Sequence, residues 1–302
     1  MAILETTNLT KKFGKFTALN GVNIEVNKGE VYGFIGPNGA GKSTTIRVLL
    51  GMLKATEGEA TIFGKDVWAD AVAIHKRIAY VPGDVNLWPN LTGGEVIDLF
   101  MKMNGNVNEQ RRDELIEKFN FDPTKKCRTY SKGNRQKVAL IAAFASESDL
   151  YILDEPTSGL DPLMESVFQE CVMDAKREGK SVLLSSHILS EVEKLCDKVA
   201  IIRQGEIIET GTLSELRHLT RTNLTVKTKE PMPDLNEIKG IHNVEENDGE
   251  LKFQVDTEEL DEVIRYISQF GILKLESAPP TLEDLFMRHY QGAGHADSGG
   301  AL

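Results

Sequence analysis

The chain has 302 residues, 40% of them hydrophobic, enough for one sizeable core and a smaller one. Its 35 Lys and Arg stand against 46 Asp and Glu, a net charge of −11, and the excess is uneven: residues 220–302 carry 8 basic and 16 acidic side chains, residues 1–219 carry 27 and 30. An acidic balance opposes polyphosphate backbones and anionic lipid, so nucleic-acid and membrane-surface binding are not expected.

From Ile3 onward short β-type runs, Val22 to Val26 and Val31 to Ile35, sit between Gly- and Asn-rich turns. After Lys42 the apolar residues Ile46, Leu49, Leu50 and Leu53 recur at helical spacing, so strand, Gly-rich turn and helix follow in order. Residues 85 to 148 then read as a helical lobe, with helices over Gly94 to Met103, Glu109 to Phe119 and Gly133 to Ala145. Its apolar run Val138 to Ala145 is far short of the roughly 20 residues that span a bilayer. The continuous apolar strands Leu150 to Leu153, Ser181 to Leu184 and Val199 to Ile202 alternate with helices, the pattern of a parallel sheet buried on both faces, and the first domain is predicted to be α/β.

Beyond Leu216 the order is strand (Asn223 to Thr228), short helix, strand (His242 to Glu246), strand (Glu250 to Val255), helix (Thr257 to Phe270) and strand (Ile272 to Glu276). That βαββαβ order predicts an α+β, ferredoxin-like module over the acidic residues 223–290. The Gly- and Ala-rich residues 291–302 read as an unstructured tail. Met1 to Asn8 lacks a basic region followed by an apolar one, so no secretory signal is expected, and Cys127, Cys171 and Cys196, odd in number and without a Cys-x-x-Cys pair, suit reduced cytosol.

Gly36-Pro37-Asn38-Gly39-Ala40-Gly41-Lys42-Ser43 is a complete G-x-x-x-x-G-K-S loop between strand and helix. Glycines at these positions let backbone N–H groups surround a β-phosphate, with Lys42 reaching the β and γ phosphates and Ser43 ligating Mg²⁺. Downstream, an apolar strand delivers Asp154 and Glu155 at its carboxyl end, beside such a loop in a parallel sheet. There Asp154 would hold the metal and Glu155 would act as general base. The next strand ends in Ser185-Ser186-His187, which puts His187 where it can bond a γ-phosphate.

In order and spacing these motifs resemble the ATP-binding cassette of ABC transporters over residues 1 to about 218. The resemblance implies a P-loop NTPase fold with a mixed sheet and a helical lobe, ATP and Mg²⁺ as ligands, and ATP hydrolysis. ATP binding is implied for Gly36 to Ser43, for Thr44 and, through adenine stacking, for Phe13 in Thr10-Lys11-Lys12-Phe13-Gly14. Two segments compete for the family's Leu-Ser-Gly-Gly-Gln signature. Leu91-Thr92-Gly93-Gly94-Glu95 reads as a helix-capping box, whereas Tyr130-Ser131-Lys132-Gly133-Asn134 precedes a helix and its Ser131 lies 23 residues before Asp154, as the family arrangement requires. Ser131, Gly133 and Asn134 would then contact the ATP of an opposite cassette, and Asp161 would belong to the loop joining the two sites.

Two residues depart from the family. Lys132 stands at a usual glycine, within the basic cluster Lys125, Lys126, Arg128, Lys132, Arg135 and Lys137, a phosphate-facing surface or a solvated face. Gly83 stands where a metal-ligating Gln is usual, so Asp84, water or nothing takes its place. Leu87-Trp88-Pro89 is either a surface for a membrane subunit or a hydrophobic staple for the helix opening at Thr92. The C-terminal module, ending Pro280-Thr281-Leu282-Glu283-Asp284-Leu285-Phe286, resembles the extension of cassettes serving bacterial drug, antibiotic and polysaccharide exporters. The implied partners are a second cassette and permease subunits docking through Asp84 to Glu95, and the implied location is the cytoplasmic side of the membrane. A weakly hydrolysing nucleotide sensor and a soluble cassette ATPase are the competing readings.

Overall fold

The computed structural model describes residues 2–278, apart from 104, 106, 107, 219, 220, 234, 236, 237 and 248. The segment 280–286 and the tail 291–302 lie outside the described residues. The chain divides into two compact units, residues 1–210 and 211–302.

The first unit opens with the long strands β1 (Ala2–Phe13) and β2 (Phe16–Asn27), paired antiparallel with register shifts. Then come β3 (Val31–Ile35), α1 (Lys42–Leu49), β4 (Glu57–Ile62), the two-residue β5 (Lys65–Asp66), α2 (Ala71–His75) and β6 (Ile78–Val81). The lobe follows as α3 (Gly93–Met103), α4 (Glu109–Lys118) and α5 (Lys132–Ala145). The unit is completed by β7 (Leu150–Asp154), α6 (Pro162–Arg177), β8 (Ser181–Ser186), α7 (Leu189–Leu195), β9 (Lys198–Arg203) and most of β10 (Glu206–Thr212).

Two sheets result, β2-β1-β4-β5 and β10-β9-β3-β8-β7-β6. In the second, β9, β3, β8, β7 and β6 run parallel. Every residue of β3, β7 and β8 is buried, which is why their sequences are apolar or small runs apart from Asp154 at the end of β7. The core beneath the phosphate loop joins both sheets to α1, with Leu4, Leu19 and Ile24 from the first sheet packed among Phe34, Ile46, Leu49 and Ile152. The sheet is thus mixed across the unit and parallel where the motifs sit.

Within the lobe α3 and α4 pack on α5, whose Val138, Leu140, Ile141 and Phe144 are buried. The start of α3 is a reciprocal capping box: the Thr92 N–H donates to Glu95 Oε2 at 2.6 Å and the Glu95 N–H to Thr92 Oγ1 at 3.1 Å. Those bonds hold Glu95 below the usual carboxylate range.

The second unit holds α8 (Leu213–His218), β11 (Thr222–Thr228), β12 (Ile241–Asn247), β13 (Glu250–Val255), α9 (Leu260–Ser268) and β14 (Ile272–Ala278). Its sheet runs β12-β13-β11-β14 with every neighbour antiparallel, so each crossover spans one intervening strand, the ferredoxin-like split βαβ. In α9 Val263 and Ile267 are buried and Leu260 is half-buried, while Asp261 and Arg265 pair on the solvent face. The helix is shorter than the predicted Thr257 to Phe270, because Thr257–Glu259 forms a 3₁₀ turn before α9. Most of the helix expected between β11 and β12 lies outside the described residues, although Leu235 is placed there, buried in the core.

Candidate nucleotide site

Parallel register brings the site together. Ile35 aligns with Ser186, and Asp154 with Ser185, so β3, β8 and β7 end level at one edge of the sheet. The phosphate-type loop, Glu155 and His187 all leave from that edge, the crevice where open α/β sheets bind ligands.

The loop is shaped by close approach. A Cβ at Gly36 would collide with the Ile202 carbonyl oxygen, and Gly41 has φ +116°, a conformation that side chains resist. Gly41 is also the N-cap of α1, and no side chain caps the helix, so its first N–H groups remain for an anion. Asn38, Gly39 and Ser43 are exposed, Pro37 and Thr44 half-buried, and Ala40 buried. Lys42 is 5% exposed, and its Nζ donates to the Gly36 carbonyl at 2.5 Å and the Pro37 carbonyl at 3.3 Å while lying 3.4 Å from Glu155 Oε1.

Glu155 is the hub of the strand ends. It takes φ +50°, its N–H donates to the Ser185 carbonyl at 2.9 Å, and its second oxygen Oε2 is bonded to His187 Nδ1. A carboxylate only accepts, so Nδ1 carries the proton in this arrangement and Nε2 is left to face a ligand. Asp154 is buried, and its Oδ1 has no hydrogen-bond partner. Among the described residues no three His, Cys, Asp or Glu form a metal-ligating cluster. A cation held at Asp154 and Ser43 would complete its shell from phosphate oxygens and water, the habit of Mg²⁺, and the unpartnered Asp154 oxygen fits it.

Phe13 ends β1, 48% exposed, with Lys11 Nζ 5.1 Å from its ring centroid. An aromatic beside glycine on a strand is ordinarily core; here the ring stays open to a stacking partner, and Phe16 across the hairpin is 66% exposed. Gly83 follows β6, where an added Cβ would stand 3.1 Å from the Asp154 carbonyl oxygen. Asp84 beyond it is exposed.

Ser131 caps α5, its Oγ accepting from the Asn134 N–H at 3.3 Å, and Gly133 and Asn134 lie in the first turn. Asp161 caps α6, accepting from the Met164 N–H at 3.0 Å. Part of the basic cluster is engaged locally: Lys125 pairs with Asp122 at 3.4 Å, Lys126 with Glu95 at 3.6 Å, and Arg135 donates to the Tyr130 carbonyl at 2.9 Å.

Glu191 is a residue that motif reading passes over. It is 4% exposed on α7; Ser186 Oγ donates to its Oε2 at 2.8 Å, and its Oε1 is buried without a hydrogen-bond partner. The signal in the sequence is an acid lying on the apolar stripe of Val192 and Leu195. Burial pushes its pKa up to about 7, against the lowering effect of the nearby Ser186 and Thr157 hydroxyls. A carboxyl raised in the folded state stabilises most below its unfolded value, and the contribution is lost as pH rises towards 7. The full swing is on the order of 3 kcal/mol. Glu191→Gln, which keeps the neutral shape, should therefore match the unmodified chain in thermal unfolding at pH 5 and exceed it at pH 8 by on the order of 5 °C. An equal Tm at both pH values would refute the buried-acid assignment.

Known proteins agree with this geometry. The ABC transporter family profile matches residues 19–158, and that of the ATP-binding protein DrrA1-3-like C-terminal domain matches 211–290. The uncharacterized ABC transporter ATP-binding protein YhaQ of Bacillus subtilis is 32% identical over 293 residues, 94% of this chain and 97% of its own. The bacitracin transport ATP-binding protein BcrA of Bacillus licheniformis is 32% identical over 301 residues, 95% of this chain and 96% of its own. A solved dimeric post-hydrolysis state of the ATP-binding cassette MJ0796, bound to ADP and Pi, superimposes with a TM-score of 0.64 at 25% identity, covering 70% of this chain and 98% of that one. With its phosphate loop, strand-end carboxylates and C-terminal extension in place, the chain belongs to the ATP-binding subunits of ABC transporters and is an ABC-type ATPase.

Proposed function

We propose that this chain is the motor subunit of an exporter for drugs, antibiotics or other amphiphilic compounds, pairing head to tail with a second cassette around two ATP molecules and driving separate permease subunits. The observation that carries the reading is the convergence of Lys42 and His187 on the two oxygens of Glu155 at the mouth of the phosphate loop. ATP's phosphates enter the loop N–H groups and draw Lys42 from the Gly36 carbonyl. Glu155 then takes a proton from the attacking water, and His187 Nε2 faces the γ-phosphate. Ser43 and Asp154 would hold Mg²⁺, which would supply neutralisation of the phosphate charge. The dimeric form of MJ0796 supports the pairing, and BcrA's bacitracin transport supports an antibiotic-type cargo.

The permease contact is assigned to the face around Asp84 to Glu95. A groove of about 510 Å³ lies there between the end of β6 and the lobe, lined by Tyr80, Pro82, Val85, Leu87, Phe100 and Met103. Trp88 is half exposed beside Phe100, with ring centroids 6.1 Å apart, so it packs toward α3 while presenting an apolar edge. Such a groove suits an apolar helix end from a membrane subunit. No helix among the described residues is long and apolar enough to cross a membrane, and the proposed location is peripheral, on the cytoplasmic side through the permease. In the source cell, the tagged chain should co-purify in mild detergent with a multi-spanning membrane protein, and Trp88→Glu should weaken that recovery. Recovery of an active ATPase alone from the aqueous fraction would count against the motor reading.

A further inference from the structure

The signature segment and the loop after Glu155 touch within one subunit, through a residue that the family pattern does not supply. Lys132 replaces a glycine, so a side chain has to be accommodated beside a crowded backbone. Its stem runs over Gly159, with Cγ and Cδ 3.2 and 3.3 Å from where a Cβ on that glycine would stand. Its ammonium donates to Ser158 Oγ at 2.6 Å. Beneath this contact the backbones meet, since a Cβ on Gly133 would collide with the Gly159 carbonyl oxygen.

Ser158 is one turn from the hydrolytic carboxylate. Its N–H donates to the carbonyl of Glu155 at 3.1 Å, and Glu155 itself is held in the left-handed region at φ +50°. The loop is therefore held from the lobe by Lys132.

We propose that Lys132 is a positioning residue: by bonding Ser158 it ties the segment that meets the opposite subunit's nucleotide to the loop that carries this subunit's own Glu155. The inference rests on the paired-cassette reading above. Movement of α5 against the partner's ATP is passed to Glu155 by a side-chain bond as well as by backbone packing, so each site senses the other's occupancy. Coupling of this kind is a measurable interaction energy between residues.

The test is a double-mutant cycle on the full chain with Lys132→Met, Ser158→Ala and both together, reading ATP turnover against ATP concentration. Each single change should lower kcat about fivefold and move the Hill coefficient towards 1, with KM and Tm little altered. The double variant should be no slower than either single one, and Lys132→Arg, which can still donate to Ser158, should retain kcat and cooperativity. Additive losses, losses that track Tm, or unchanged kcat and Hill coefficient in Lys132→Met overturn the assignment. A parallel gel filtration in the Glu155→Gln background separates the two claims. A chain that binds ATP without pairing overturns the paired reading and the link with it. Normal pairing with unaltered kinetics in Lys132→Met overturns the link alone.

Discussion

Glu155→Gln should bind ATP with nearly unchanged affinity and hydrolyse it at least about 10²-fold more slowly, the usual contribution of a positioned general base. The amide keeps the volume of the carboxylate between Lys42 and His187 but cannot take a proton from water. Its oxygen can still face Lys42, and its NH₂ can donate to His187 Nδ1, which then holds the other tautomer, so the fold at the strand ends survives. With hydrolysis blocked, the ATP-bound pair should accumulate and elute at twice the monomer mass in gel filtration. Phosphate release equal to that of the unmodified chain would remove Glu155 from the chemistry. Loss of ATP binding would instead mean that its contact with Lys42 is needed to build the site.

Lys42→Met should weaken ATP binding about 10²-fold, measured by calorimetry, and abolish turnover. The ammonium is almost wholly buried and holds the loop through the Gly36 and Pro37 carbonyls, so its removal costs both the phosphate contact and the preformed cradle. It also leaves Glu155 Oε1, buried and without another hydrogen-bond partner, facing a thioether. Lys42→Arg should fail to rescue, because a planar guanidinium does not fit where a point donor sits 2.5 Å from a carbonyl in a glycine turn. Retained tight binding in either variant would refute the assignment of Lys42 to the phosphates.

Much of this was legible in the chain because it depends on neighbours in sequence. Gly36 to Ser43 announces a strand-loop-helix turn, since only glycine tolerates φ +116° at the helix entrance and the backbone contact at Ile202. The capping box at Thr92 and Glu95 was readable from spacing. The C-terminal strand and helix order led to the split βαβ topology for the same reason. What escaped reading depends on distant contacts. Glu191 reads as an ordinary helix acid until α7 folds it against Ser186.

The charge division near residue 220 follows the same rule. It told from composition alone that the acidity lies mainly in the C-terminal part, leaving the first 219 residues nearly balanced and able to hold a phosphate-facing surface. Local periodicity, glycine placement and strand-end acids determined the fold class, the ligand class and the residues of the phosphate loop. Only the tertiary structure decided that Lys42, Glu155 and His187 meet and that Lys132 turns back to Ser158. Those partners come from strands and helices far apart in sequence, and only parallel register and the packing of α5 against the loop after β7 set the distances between them.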